Sequence, residues 1–451
     1  MVRFPRRTAL AAGLAAMLVA ACAPGDDDES AGQSPEPTSD IQTDPSQMGD
    51  VTLVVWDQEV RGGQNEQIEE LNAAFQEMYP NITIERDSRS FEDLQTTLQL
   101  ALTGDDPPDV VQANNGRADM GAFVEAELLS PLDDYAEAYG WDERFPESVR
   151  AVASYTPDGA TFGEGSLYGL AQQGELVGIF YNKAKLTELG IDAPLTWEEF
   201  LAAVDTAKQA GELPLPFGNV DQWPAIHVYG AVMNRDVPTD AIRDLGFGRS
   251  GADWTSAENL AAAEEISGFV DAGYFTEGFN GAGYDPVWAD FGNGNGVFLI
   301  AGTWLLADLT TALGDDLGFM LPPPREGQPP VATGATSLPF AITSANENQD
   351  AAAAYIDFIT SADAMRVIAE KGLLPSVDAG AQPTQSSAQE EVFGAWETVT
   401  SEDGLVPYLD WATPTFYDTI TVALQELLGG QATPEQFLQR LQDDYAAFVG
   451  G

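Results

Sequence analysis

Aromatic and polar residues that could bind a ligand follow several apolar runs of this chain. The clearest case is residues 298–304, where the run Phe-Leu-Ile-Ala stops at Gly302 and is followed by Thr303 and Trp304. A buried strand that ends at a glycine, with a threonine as helix N-cap, predicts the edge of a sheet where α/β proteins bind ligands. The indole of Trp304 could pack in the core or provide a platform for the flat apolar face of a ligand.

A pyranose ring combines hydroxyl groups, which need directional hydrogen-bond partners, with a flat patch of C–H groups that packs on aromatic rings. A sugar site therefore needs Asp, Glu, Asn, Gln or Arg side chains at loop ends with Trp or Tyr between them. Core packing is the alternative role for Trp56 and Trp411, and Tyr284 and Trp288 lie about one turn apart, so at most one is expected to face a ligand. The candidate ligand-binding residues are Trp56, Glu59, Asn114, Asn115, Arg117, Gln172, Glu175, Asp221, Gln222, Trp223, Tyr284, Asp285, Trp304, Trp411 and Tyr417.

The composition excludes several classes of function. With 72 acidic and 19 basic residues the net charge is −53, which repels nucleic acid and anionic membranes and suits a salty exterior. Cys22 and His227 are the single cysteine and the single histidine, so neither a disulfide framework nor a zinc cluster is expected. No cofactor is predicted; calcium remains possible, although no EF-hand spacing occurs. His227 lies in the apolar run 225–229 and is expected to be a packed or partly exposed helix histidine rather than a member of a Ser-His-Asp triad.

Basic residues are rare near the candidate ligand-binding residues. Only Arg117, and Arg61 further away, could serve a phosphate or carboxylate group, which would need a cluster of Arg or Lys. The sequence therefore favours a neutral ligand.

Residues 1–22 are predicted to be a targeting segment. Three arginines precede the apolar run 8–21, which is too short for a transmembrane helix. Residues 19–22, Val-Ala-Ala-Cys, resemble the lipobox of bacterial lipoproteins, in which Cys22 becomes lipidated; an ordinary cleaved secretion signal is the alternative. Residues 23–49 lack Lys and Arg and are predicted to be a disordered acidic tether. Anchor and tether together predict a protein on the outer face of the cell membrane.

Strand-like and helix-like segments alternate from residue 51 onward. The runs 51–56, 82–84 and 108–111 predict strands, and the apolar stripes over 68–78 and 91–101 predict the helices between them. This order predicts a parallel sheet with helices on both faces, as in α/β proteins.

These segments and later ones resemble the extracellular solute-binding proteins of bacterial ABC importers, most closely the carbohydrate-binding group often called family 1, which includes maltose-binding proteins. One departure is Gly294-Asn-Gly296, where the family usually has Gly-Lys. The matching stretches, in the family's order, are Val54-Val-Trp56, Ala101-Leu-Thr-Gly104, Pro108-Asp-Val110, Leu128-Leu-Ser-Pro-Leu132, Tyr168-Gly-Leu170, Phe180-Tyr-Asn-Lys183, Leu195-Thr-Trp-Glu-Glu-Phe200, Asp271-Ala-Gly-Tyr274, Ile300-Ala-Gly-Thr-Trp304 and Leu373-Leu-Pro375.

The resemblance implies a two-lobe α/β fold of the type II periplasmic-binding-protein class. Each lobe is expected to contain a mostly parallel sheet flanked by helices, with several hinge crossings between the lobes. The expected boundaries are 50–172 with 322–359 for the N-terminal lobe and 176–318 with 362–451 for the C-terminal lobe, with crossings near Gln172 to Glu175, Leu321 and Thr360.

The resemblance also implies a receptor without catalysis. It would close its lobes over a neutral mono- or oligosaccharide and deliver it to ABC permease subunits, as a monomer that binds no nucleic acid. Trp304 would then be a stacking platform of the C-terminal lobe, facing Trp56, Asn114 and Arg117 of the other lobe. The alternatives are a secreted glycoside hydrolase that uses paired carboxylates, a receptor for a non-sugar solute, and an adhesive surface lipoprotein.

Overall fold

The structure, a computed structural model, describes residues 41–324 and 328–449. Its strands are β1 (Val51–Asp57), β2 (Ile82–Ser88), β3 (Val110–Gln112), β4 (Ser154–Tyr155), β5 (Ser166–Leu167), β6 (Gly174–Asn182), β7 (Phe298–Gly302), β8 (Leu317–Met320), β9 (Ala332–Thr336), β10 (Phe340–Ile342) and β11 (Leu405–Val406). Its α-helices are α1 (Gly62–Met78), α2 (Phe91–Leu102), α3 (Ala122–Glu125), α4 (Asp133–Tyr139), α5 (Trp141–Arg144), α6 (Glu147–Arg150), α7 (Lys183–Leu189), α8 (Trp197–Gln209), α9 (Pro224–Asp236), α10 (Thr239–Gly246), α11 (Ala257–Asp271), α12 (Tyr284–Gly292), α13 (Leu306–Leu313), α14 (Gln349–Ile359), α15 (Ala362–Glu370), α16 (Ser387–Ser401), α17 (Phe416–Leu428) and α18 (Pro434–Val449).

The N-terminal lobe is organised around a sheet with the strand order β10-β3-β1-β2. β1 pairs in parallel with β2 and β3, as the alternation of strands and helices predicts, and β10 returns late in the chain to pair antiparallel with β3. The predicted apolar stripe on α1 is confirmed, since Ile68, Leu71 and Phe75 are fully buried. Because parallel strands end at the same edge, the loops after β1 and β3 meet at the carboxyl edge of this sheet.

The C-terminal lobe is organised around β6, every residue of which is buried. This strand pairs antiparallel with β7, β8 and β9, and β11 adds to β9 in parallel. Burial along the whole strand requires cover on both faces of the sheet. Helix α9 packs on β6, β7 and β9, whereas α16 packs on β8.

The stretch 298–304 forms the predicted strand and turn. β7 is buried throughout and passes into a 3₁₀ turn, Thr303–Leu305, ahead of α13. The predicted capping role of Thr303 is wrong, because Gly302 occupies the N-cap position. The Thr303 hydroxyl instead accepts a hydrogen bond of 3.1 Å from the Leu176 amide of β6.

Two of the expected hinge crossings need correction. At the first expected crossing, Gln172 to Glu175, Leu170 bridges to Phe340 of the first sheet and β6 starts the second sheet at Gly174. The second crossing lies at 337–339 rather than near Leu321, because β9 still pairs with β6. The third lies beyond Thr360, since α15 packs on α1 of the N-terminal lobe. Residues 322–336 therefore belong largely with the C-terminal lobe, and α15 with the N-terminal lobe.

The folded body begins earlier than the sequence predicts. Residues 45–47 form a 3₁₀ turn capped by Asp44, and the Asn81 amide donates hydrogen bonds to the carbonyls of Pro45, Met48 and Gly49. The last residues of the predicted tether 23–49 are thus anchored to the domain. Cys22, the rest of the targeting segment and residues 23–40 lie outside the described residues. Within the described ranges, no helix combines the length and apolarity that a membrane crossing needs.

Candidate functional site

A cleft between the two lobes collects side chains from the edges of both sheets. It contains about 700 Å³ of space between protein atoms, the open solvent at its mouth included. Its lining residues are Gln58, Arg61, Phe91, Asn114, Asn115, Glu175, Trp223, Ile226, His227, Trp304, Thr336, Leu338, Tyr408, Asp410, Trp411 and Tyr417.

One side of the cleft, here called the aromatic wall, consists of Trp223, His227, Trp304 and Tyr408 of the C-terminal lobe. The ring centroids of Trp223 and Trp304 lie 6.1 Å apart, and the His227 ring lies 5.3 Å from each of them. Tyr408 extends the wall, with its ring 5.4 Å from His227. Such a surface can pack against the C–H face of a ligand.

The first turn of α9 places two members of the aromatic wall. Trp223 occupies the N-cap position and His227 follows one turn later, so both side chains lie on the same helix face. The helix start is held by Pro224 at the first helical position and by the Asn219 side-chain Oδ1, which accepts a 3.1 Å hydrogen bond from the Ala225 backbone amide. Gln222, with a left-handed φ of 66°, turns the chain into the helix.

Trp304 is held in a fixed orientation over the end of β7. Its indole lies so close to Gly302 that a Cβ there would be 1.9 Å from Cζ3 of the ring. The indole Nε1 donates a 2.8 Å hydrogen bond to the hydroxyl of Tyr284, which is buried behind the wall. The glycine before Trp304 therefore makes room for the ring, and the tyrosine fixes which face is presented to the cleft.

The opposite side of the cleft, here called the amide wall, consists of Gln58, Asn114 and Asn115 of the N-terminal lobe. The Asn114 amide nitrogen donates to Asp119 at 3.0 Å and the Asn115 amide nitrogen donates to the Val152 carbonyl at 2.8 Å. Among the described residues, no protein donor satisfies the side-chain oxygens of these two asparagines, and neither oxygen is fully shielded. These oxygens are therefore available to accept hydrogen bonds from ligand hydroxyl groups.

Two buried carboxyl groups line the cleft between the walls. Burial raises the pKa of Glu175 to about 8, and the charge of Glu59 adds to the shift. Burial likewise raises the pKa of Asp410 to about 7. Near neutral pH each group can therefore exist with its proton, as a hydrogen-bond donor, or without it, as an acceptor.

Glu59 links strand β3 to the first hinge crossing through hydrogen bonds. Its carboxylate oxygens accept hydrogen bonds from Gln112 at 2.8 Å and from Gln173, in the first crossing, at 3.2 Å. Burial raises the pKa of Glu59 to about 7, and neighbouring Asp57 adds to the shift. Asp57 is itself paired with Arg86 through two hydrogen bonds of 2.6 and 2.7 Å.

The unfolding free energy is expected to fall as pH rises, in part because of Glu59. The folded chain holds the Glu59 proton up to a pKa of about 7 rather than the ordinary 4.5, so this contribution is complete below about pH 4.5 and is lost as pH passes through 7. Its full size is roughly 3 kcal/mol. Urea unfolding at several pH values gives the unfolding free energy as a function of pH. This free energy should fall less steeply with pH in Glu59→Gln than in the wild type. Glu77→Gln, an exposed change on α1, is the control; equal slopes in all three proteins would contradict the prediction.

Direct contacts hold the two lobes together across the cleft mouth. Arg61 of the N-terminal lobe pairs with Asp285 of the other lobe at 3.1 Å, and the Trp223 indole donates to Glu92 at 3.1 Å. On the far side, Trp411 lies against Gly116, where a Cβ would be 2.7 Å from the indole Cδ1. The structure is therefore a closed form, in which the walls face each other.

The structure brings some of the predicted ligand-binding residues into the cleft and not others. Those that line it are Asn114, Asn115, Glu175, Trp223, Trp304, Trp411 and Tyr417. Those that do not line it are Trp56, Glu59, Arg117, Gln172, Asp221, Gln222, Tyr284 and Asp285.

The residues outside the cleft are engaged with protein groups. The Arg89 guanidinium lies 3.6 Å over the Trp56 ring, and Arg117 donates to the carbonyls of Ala160 and Phe247. Gln172 bonds the Ile359 carbonyl and Asp221 accepts from the Tyr284 amide. The remaining four and their partners are Glu59 with Gln112 and Gln173, Gln222 with Gln425, Tyr284 with Trp304, and Asp285 with Arg61.

Sequence reasoning missed a further set of lining residues. His227 had a usable signal, since it lies one turn after Trp223 on the same helix face; Gln58 lies two residues after Trp56, and Tyr408 and Asp410 lie just before Trp411. The missed residues are Gln58, Arg61, Phe91, Ile226, His227, Thr336, Leu338, Tyr408 and Asp410. Within the described ranges, no group of three or more His, Cys, Asp or Glu residues is arranged to hold a metal ion.

Comparison with known proteins adds three kinds of similarity. The family model described as bacterial extracellular solute-binding protein matches residues 62–366. The multiple sugar-binding protein of Streptococcus mutans serotype c is 22% identical over 304 residues, which cover 62% of this chain and 72% of the relative. A chitin oligosaccharide binding protein superposes with a TM-score of 0.77 at 21% identity, over 89% of this chain and 99% of that one. A bacterial solute receptor with an exclusive preference for β-D-galactopyranose gives a TM-score of 0.75 at 16% identity, over 89% and 100%.

Proposed function

Because the chain belongs to the family of bacterial extracellular solute-binding proteins, we propose that it captures a neutral mono- or oligosaccharide between its lobes. It then delivers this ligand to the permease subunits of an ABC importer. Relatives and structural neighbours whose names describe sugar binding support this assignment.

The observation that carries the proposal is the pairing of two unlike walls. Trp223 and Trp304 offer ring faces to the apolar side of a pyranose, while Asn114 and Asn115 offer carbonyl oxygens to its hydroxyl groups. Amino acids and phosphorylated ligands would need cationic partners. Of the residues that line the cleft, Arg61 carries the only guanidinium or ammonium group, and Asp285 already pairs with it.

The proposed mechanism is closure of the lobes over the ligand. Each wall belongs to one lobe, so a sugar can contact both walls at once only in the closed form. Binding therefore stabilises closure by the difference in affinity between the closed and open forms. The contacts of Arg61 with Asp285 and of Trp223 with Glu92 form at the same time. The permease would then recognise the closed receptor, and no bond of the sugar is broken.

We further propose that the receptor is a monomer held on the outer face of the cell membrane through lipidated Cys22. The sequence pattern before Cys22 and the acidic segment after it support this attachment. Metabolic labelling with a palmitate analogue, in the wild type and in Cys22→Ser, would test the anchor. Label in the wild type alone supports it, and equal label in both contradicts it.

Calorimetry with a panel of sugars tests the proposed ligand class. The panel is D-galactose, maltose, xylobiose, chitobiose and raffinose, with a panel of amino acids as the comparison. Saturable binding of at least one sugar is expected, with no release of product from chromogenic glycosides. Tight binding of an amino acid without binding of any sugar would contradict the ligand class, and glycoside turnover would favour a hydrolase.

A further inference from the structure

His227 is an unexpected polar group within the aromatic wall. Its ring contacts Trp223, Trp304 and Tyr408, with centroids 5.3, 5.3 and 5.4 Å away. The residue keeps part of its surface exposed, and it lines the cleft. The residue is thus part of the surface that would meet a ligand, not a histidine packed in the interior of a helix bundle.

The imidazole has unused hydrogen-bonding capacity. Its Nδ1 is fully shielded and has no partner. Among the described residues, neither ring nitrogen takes part in a hydrogen bond with the protein, and Nε2, unlike Nδ1, is not fully shielded. Buried polar groups in proteins are nearly always paired, because an unpaired one weakens folding. A polar ring kept at this position of an apolar wall indicates that its partner comes from outside the chain.

The protonation state of His227 suits a neutral partner. Burial lowers its pKa to about 3, so the ring is uncharged at neutral pH and offers one N–H donor and one acceptor nitrogen. The rings packed against it are aromatic, and of these Tyr408 also interacts with the Glu175 carboxyl. A hydroxyl group, which can donate or accept, matches Nε2 in either tautomer of the ring, whereas Nδ1 is shielded from a ligand.

We infer that His227 is a specificity-determining residue of the cleft, whose imidazole hydrogen-bonds a hydroxyl group at the edge of a sugar ring that packs on Trp223 and Trp304. This inference rests on the proposed function. It gives the aromatic wall two roles. The indoles contact the apolar face of the sugar, and the histidine selects sugars that have a hydroxyl group at the position where it can form a hydrogen bond.

Three variants separate the hydrogen bond from packing. His227→Phe keeps an aromatic ring but removes both nitrogens, and His227→Gln restores an amide near the position of Nε2. Tyr229→Phe is the matched control. It also removes a buried polar group without a partner from α9, but Tyr229 does not line the cleft. If the Phe variant does not fold, His227→Leu replaces it. The probe is whichever sugar of the panel named above the wild type binds most tightly.

The expected result is that His227→Phe weakens binding about tenfold or more, while His227→Gln stays within about threefold of the wild type and Tyr229→Phe is unchanged. Deoxy analogues of the same sugar identify the hydroxyl. For one of them the wild type and His227→Phe should bind equally, since the bond is already absent. If the wild type binds a sugar and His227→Phe binds it equally well, the inference is overturned while the proposed function stands. If the wild type binds no sugar of the panel, both are overturned.

Discussion

Replacing Trp304 by alanine is expected to weaken sugar binding by about 2 kcal/mol, roughly thirtyfold in Kd. The indole is half-buried, lines the cleft, and is oriented by Gly302 beneath it and by the Tyr284 hydroxyl at 2.8 Å. Its loss removes the largest flat surface that the end of β7 presents to a ligand. Calorimetric titration of the variant with the best-bound sugar of the panel measures the effect.

Trp56→Ala is the matched control for this experiment. Trp56 is also half-buried and lies at the carboxyl end of a strand, but its ring is covered by Arg89 at 3.6 Å and does not line the cleft. This variant should lose stability and keep the affinity of the wild type. Thermal melts of both variants separate the two effects. A loss of stability without loss of affinity in Trp304→Ala would mean that Trp304 is a packing residue only.

The contrast between these two tryptophans explains why the site was only partly predictable. Trp56 lies near the end of an apolar strand and Trp304 just after one. The residues that precede each tryptophan therefore form a similar apolar pattern. What distinguishes them is that Arg89, from a later part of the chain, covers Trp56, whereas the Trp304 ring packs over Gly302 and lines the cleft. The strand and the position of a site residue can therefore be read from periodicity, but the exposed face of a ring depends on tertiary contacts.

The strands near the hinge also differ in how far the local sequence predicts them. The central strand β6 could be predicted, because residues 177–181 form an apolar run with β-branched and aromatic side chains. Strand β9 could not, because the short segment 332–336 becomes a strand only by pairing with β6 and β11. Its sequence, Ala-Thr-Gly-Ala-Thr, contains two threonines but no long apolar run that would indicate a central strand. Sequence periodicity thus reveals the strands that carry their own apolar pattern and misses those that depend on a neighbour.

His227 lies on a helix, as its apolar run predicts, but its position on the cleft lining was not predicted. A lone histidine in an apolar run usually packs in a helix, and His227 does lie on α9 among buried neighbours. The four-residue spacing from Trp223 was the available signal, since both side chains share one helix face. A candidate ligand residue at a helix start therefore makes the residue one turn later a candidate as well.

The charge of −53 is spread over the whole chain, and several of the basic side chains that the structure describes are paired with carboxylates. Lys185 pairs with Glu212 at 2.8 Å, and Arg144 pairs with Asp357 at 2.7 Å. Such pairs neutralise individual carboxylates and leave the large excess of acid uncompensated. At low ionic strength this excess favours expanded states through self-repulsion, and salt reduces the repulsion by screening.

The midpoint of thermal unfolding is therefore expected to rise by at least about 5 °C between about 0.1 M and 1 M NaCl, where the Debye length falls from ~10 Å to ~3 Å. Sucrose at equal osmolality is the first control, since it is excluded from protein surfaces but screens no charge. A second control is pH: the sequence pI is about 4.1, so at about pH 5 many carboxylates begin to take up protons and the NaCl effect should shrink. If sucrose matched NaCl, or if the NaCl effect were the same at both pH values, screening of the acidic surface would not be its cause. A salt response confined to neutral pH would support the interpretation that NaCl stabilises the fold by screening repulsion between carboxylates.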